Sequence, residues 1–131
     1  MKKSVLLAAV LVGFAAFGED DVTVERFPDA DAVLVNEIER VSYRPDGTYE
    51  TWAESWTKVL TEKGRREESV TTLDYSKRYG EGEIVSVGII GADGVERAVD
   101  VSKTTKESTD NSSMSSNIYD PLDRRIVCRI P

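Results

Sequence analysis

Residues 33–60 read VLVNEIERVSYRPDGTYETWAESWTKVL. Two runs rich in Val, Ile, Thr, Tyr and Trp flank a Pro-Asp-Gly break, which sets Pro45 at the first corner of a type I turn and Gly47 where positive φ is needed. The stretch therefore predicts a hairpin closed between Arg44 and Thr48 with a glycine bulge. That turn fixes a register in which Arg40 faces Trp52 and Val35 faces Thr57. Leu34, Ile38, Trp52 and Trp56 then share one face, and Val33, Val35, Val41, Tyr43, Tyr49, Ala53 and Val59 share the other. Both faces mix apolar residues with charges such as Glu37, Glu39, Glu54 and Lys58. A lone ribbon of this kind is not stable, so part of each face is expected to be covered.

Residues 84–101 repeat the pattern. IVSVGII and VERAVDV flank Gly91-Ala92-Asp93-Gly94, which predicts a second bulged hairpin with Val87 opposite Val99 and Val85 opposite Val101. Residues 124–130 form a last strand with Ile126, Cys128 and Ile130 pointing one way. Between these runs the signals are weaker. Val22, Val24 and Phe27 suggest a short strand or extended lead-in, and Thr61-Glu62-Lys63-Gly64 reads as a turn. Residues 65–74 suggest a half-exposed strand, and residues 75–82 a loop or distorted strand. The Ser- and Thr-rich stretch 102–117 predicts a polar mobile loop, with Met114 its one large apolar residue. The expected fold class is all-β: antiparallel sheets built from hairpins, sandwich-like and incomplete at the C-terminal end.

The N-terminus carries Lys2 and Lys3, then an apolar run, then Ala16-Phe17-Gly18 ahead of Glu19-Asp20-Asp21. This is the order of a secretory signal peptide over residues 1–18, and it predicts export to the periplasm or beyond with no stable membrane insertion after cleavage. Residues 19–131 are then a single domain. Removing the two lysines moves the net charge from −7 to −9. A chain this acidic, with no basic stripe, does not suit nucleic acid.

Functional chemistry is sparse. The chain has no His and one Cys, which excludes an internal disulfide, the usual zinc sites and His-based triads. Cys128 reads as a buried strand thiol. Glycoside hydrolysis needs two carboxyls facing across a sugar cleft. Glu37, Glu39, Glu50 and Glu54 lie near Trp52 and Trp56, but acids alternating with apolar residues describe the wet side of a sheet. Asp29 with Asp31, and Asp120 with Asp123, do not follow calcium-loop spacing. Asn111-Ser112-Ser113 is a formal glycosylation acceptor, and the glycines make no phosphate loop. No catalytic, cofactor or metal residues are assigned. The candidate ligand or packing platform is Trp52, Trp56, Tyr49 and Arg40.

Taken in order, PDADAVLVNE, YRPDGTYE, KVLTEKGR, EIVSVGIIGADG and YDPLDRRIVCRIP over residues 28–131 resemble the bacterial domain of unknown function that precedes transglutaminase-like domains in exported proteins. The resemblance implies a sandwich-like module without enzymatic activity. Such a module packs against, or presents substrate to, a downstream transglutaminase-like or peptidase domain whose Cys-His-Asp triad lies outside this chain. The alternative is a stand-alone extracytoplasmic module that binds glycan or peptide. The last strand runs up to Pro131 with no partner after it, which predicts an open edge, self-association through it, and a Cys128 to Cys128 dimer in an oxidising compartment.

Overall fold

In the computed structural model, residues 4–13 are described by their backbone, and residues 21–111 and 120–131 in full. The fold is all-β, with mainly antiparallel strands in two small sheets. The elements are β1 (Ser4–Gly13), β2 (Ala32–Tyr43), β3 (Tyr49–Val59), α1 (Glu62–Glu67), β4 (Val70–Ser76), β5 (Gly80–Ile90), β6 (Glu96–Val99), α2 (Val101–Thr104), β7 (Thr105–Thr109) and β8 (Asp123–Arg129). One sheet has the order β2-β3-β1-β5-β6 and the other β4-β8-β7. Between them lie Ile84, Val87 and Val99 from the first sheet, Ile126 and Cys128 from the second, and Ile130 just past β8.

Both hairpin turns form as their sequences dictate. Arg44 N–H donates to Thr48 O at 2.8 Å and Gly47 N–H to Arg44 O at 3.0 Å, while Gly91 and Gly94 make the matching bonds to Val95 and Gly91. Gly47 and Gly94 have φ of 83° and 74°, a region that costs a side-chain-bearing residue strain. Asp46 Oδ1 accepts from the Thr48 N–H and hydroxyl, and Asp93 Oδ1 from the Val95 N–H, locking each turn. The registers follow: Arg40 pairs with Trp52, and Val87 with Val99.

The first register changes toward its open end. A bulge at Val35 sets Leu34, not Val35, opposite Thr57. An extra residue on one strand swaps which side chains face which way beyond it, and Leu34 is left 55% exposed. The second hairpin stops at Val99. Asp100 turns the chain by accepting the Ser102 N–H and hydroxyl, so Val101 enters α2 and does not pair with Val85.

Residues 24–26 form a turn, not a strand. TEKG opens α1: Thr61 caps it, its side chain accepting the Gly64 N–H at 3.1 Å, with Glu62 in the first turn and Arg65 and Arg66 in the last. Residues 75–82 hold the end of β4, a short turn and the start of β5. The stretch 102–117 is not simply a loop, because Thr105–Thr109 is β7 and pairs with β8. Ser112, Ser113 and the rest of that stretch lie outside the described residues.

The open-edge expectation also fails. β8 is the middle strand of its sheet, paired with β4 on one side and β7 on the other. Cys128 has no exposed surface. The backbone groups beside Ile126 and Cys128 are therefore satisfied within the chain, and β8 presents no unpaired edge. Residues 4–13 form β1, parallel to both β3 and β5, so the segment that reads as a leader is a strand of the larger sheet. The expected cleavage point after Gly18 lies outside the described residues.

Candidate functional site

Strand alternation separates the four platform residues. On β3, Tyr49 and Thr51 point to the same side as Val59, which packs on the core; Trp52 and Trp56 point to the other side. Arg40, paired with Trp52 across the ladder, sets its guanidinium 5.0 Å from the Trp52 ring centroid, an attractive cation–π contact. Trp56 donates its indole N–H to Glu54 Oε1 at 2.7 Å. Both Trp residues are half-buried. Tyr49 lies on the opposite face, where its ring meets Tyr43 at 5.8 Å. The structure thus brings together Arg40, Trp52 and Trp56 and leaves Tyr49 out.

A second candidate is a groove of about 520 Å³ at one end of the sandwich. Val59, Leu60, Ile89, Ile90 and Ile130 supply apolar lining, Arg65 and Arg66 of α1 a charged rim, and Pro131 lies at its side. The sequence reading missed this site because it read TEKG as a turn. The legible signal was Thr61 as cap, an acid behind it and two arginines at the far end.

The position of α1 depends on Asp31. Leu60 N–H and Thr61 N–H both donate to Asp31 O, at 2.9 and 3.2 Å, the Thr61 hydroxyl donates to Asp31 Oδ1 and Lys63 Nζ to Oδ2, each at 2.7 Å. The Lys63 bond first, and then the Thr61 bond, hold the Asp31 carboxyl below its usual range. Arg65 grips Glu62 with Nε and Nη2, whereas Arg66 makes no side-chain hydrogen bond among the described residues. Ile130 N–H donates to Ser69 O at 2.7 Å, tying the end of the chain to the exit of α1.

A polar cluster bridges β4, β7 and β8. Tyr75 donates its hydroxyl to Glu107 Oε1 at 2.7 Å, and Arg124 reaches the same oxygen at 2.9 Å and the Thr109 hydroxyl at 3.1 Å. Burial, and then the bond to Glu107, push the Tyr75 hydroxyl up to about 12. Glu107 is lowered by the same Tyr75 bond and then by Arg124. A tyrosine held protonated in this way stays a hydrogen-bond donor to Glu107. Leu73 and Tyr75 pack close over Gly82, where a Cβ would come within 2.9 Å of the Tyr75 ring.

One member of each acidic pair weighed for calcium serves as a local fastener. Asp31 anchors α1, and Asp120 accepts from the Leu122 N–H and from Arg78. Among the described residues no three acids or thiols converge as a metal site would require. No family model, no curated protein and no solved structure matches this chain.

Proposed function

We propose that this chain is an exported, non-enzymatic accessory module that packs against, or presents substrate to, a transglutaminase-like or peptidase domain downstream in a longer parent protein. The observation that carries the reading is the α1 groove, whose apolar lining and charged rim have the make-up of a surface that receives another protein. The absence of His and the full burial of the one thiol support a role without catalysis.

The test is the reading frame beyond codon 131 together with the activity of the encoded parent. A frame carrying a Cys and later a His and an Asp is expected. Arg66→Glu should weaken substrate use by that parent while the unfolding curve of the module stays unchanged. A stop directly after Pro131, or a parent indifferent to Arg66→Glu, refutes the reading.

A second reading, a stand-alone module for glycan or peptide, is favoured by one observation: Arg40, Trp52 and Trp56 share an outward face. Titration with oligosaccharides and peptides should then shift tryptophan fluorescence saturably, and Trp52→Ala should abolish the shift. A flat titration eliminates it.

A further inference from the structure

β1 alone separates β3 from β5. Residues 5–12 run parallel to residues 50–57 of β3, and residues 4–13 run parallel to residues 80–90 of β5, with one bulge. β3 and β5 are not neighbours in the sheet order. Without β1, the five-stranded sheet becomes two ribbons, β2–β3 and β5–β6, on either side of an opening one strand wide, about 9–10 Å from wall to wall at twice the usual strand spacing.

β3 and β5 are each 11 residues long and contain no Pro, so without β1 each wall presents an uninterrupted row of backbone N–H and C=O groups to the opening. Both carry interior positions, with Thr51 buried on β3 and Ile84 and Val87 buried on β5. The segment in the opening, SVLLAAVLVG, belongs to the stretch whose sequence predicts removal after Gly18. Processing there would take away the central strand and keep both walls.

We propose that the β3–β5 opening is a strand-acceptor site. Residues 4–13 occupy it in the unprocessed chain. In the processed chain it takes an extended, uncharged apolar segment of a partner polypeptide, running parallel to β3 and β5. The sense is set by the two parallel ladders, and the length by the eight residue pairs between β1 and β3. The lack of charge is read from the present occupant, whose ten residues include none that is charged. Main-chain hydrogen bonds along both walls supply the binding, as in other strand additions. The site is separate from the α1 groove. It rests on the export reading only for the step that removes residues 1–18.

The test starts from the full chain, purified with a protease site inserted after Gly18 and cut only once folded. Residues 1–18 should co-elute with residues 19–131. An excess of a labelled synthetic peptide, residues 4–13 flanked by lysines, should displace the native fragment stoichiometrically while β3 and β5 amides stay slow to exchange. The same peptide carrying Ala8→Pro should fail to displace it, because proline removes a ladder N–H and suits edges, not interior strands. Three results overturn the proposal. The fragment leaves and β3 and β5 remain protected, so no opening exists; or both peptides displace equally, so pairing is not involved; or release exposes the whole chain to exchange, so β1 is a permanent part of the core. The cut is made in vitro, so a failure of processing in the cell would sink the export reading and leave this result standing.

Discussion

Replacing Gly64 by Ala sets helix propensity against packing. Gly64 lies inside α1, where Ala is favoured over Gly by about 1 kcal/mol. A Cβ at Gly64, however, would lie 2.1 Å from Asp31 O and 2.7 Å from Asp31 C. Both are backbone atoms and cannot swing aside, so α1 must back away by roughly 1.4 Å to restore a contact near van der Waals distance. That movement strains the bonds from Leu60 N–H and Thr61 N–H to Asp31 O, each contributing about 0.5–1.5 kcal/mol. The Lys63–Asp31 pair is exposed on the lysine side and screened, so it is left out of the sum. With both bonds lost and the propensity gain subtracted, the balance is up to about 2 kcal/mol of destabilisation, plus the cost of disturbed packing under α1. Urea unfolding followed by tryptophan fluorescence should show a lower midpoint at unchanged slope. A variant as stable as the parent, or more so, would refute the close approach of α1 to Asp31.

Other outcomes follow from the same geometry. Cys128 should resist thiol reagents in native buffer and react only on unfolding, and non-reducing gels should show no disulfide dimer; rapid native labelling would contradict its burial. Tyr75 should remain protonated well past pH 10. Its raised folded pKa makes its stabilising contribution complete below the unfolded value near 10 and progressively lost as pH rises to about 12; an ultraviolet difference titration between the parent and Tyr75→Phe that places this one hydroxyl at 10 would contradict this. Glu107 acts at the other extreme, where its lowered pKa makes stability fall as pH drops below about 4.3, the unperturbed glutamate value; Glu107→Gln should flatten that acid limb. Trp52→Ala should cost about 1–2 kcal/mol, below the 3–5 typical of a fully buried ring, because the ring is half-buried and its Arg40 contact is worth about 0.5–1 kcal/mol; a loss above about 3 kcal/mol would mean that the outer face is covered.

What the sequence determined by itself is what a few adjacent residues can encode. Pro45-Asp46-Gly47 and Ala92-Asp93-Gly94 carry their turns in their own φ preferences and Asp side chains, and each turn propagates a register along its ladder, so Arg40 met Trp52 and Val87 met Val99. Ile126, Cys128 and Ile130 announced a buried face by alternation alone. The same alternation already put Tyr49 on the face opposite Trp52, so grouping the four aromatic and basic residues as one platform ignored information that was present. Where competition between distant segments decided, local pattern was insufficient. TEKG has the chemistry of a turn until Asp31, far away in sequence, binds Leu60, Thr61 and Lys63 and presses on Gly64, leaving a one-and-a-half-turn helix as the arrangement that satisfies all of them. Thr105–Thr109 has too little apolar surface to be recognised as a strand, yet it covers the second edge of β8 because backbone groups beside a buried thiol must be paired. The bulge at Val35 and the position of β1 are likewise properties of the assembled sheet. Turn geometry is fixed by steric and hydrogen-bond terms within four residues, whereas strand neighbours are selected by which faces and edges remain unsatisfied once the whole chain has collapsed.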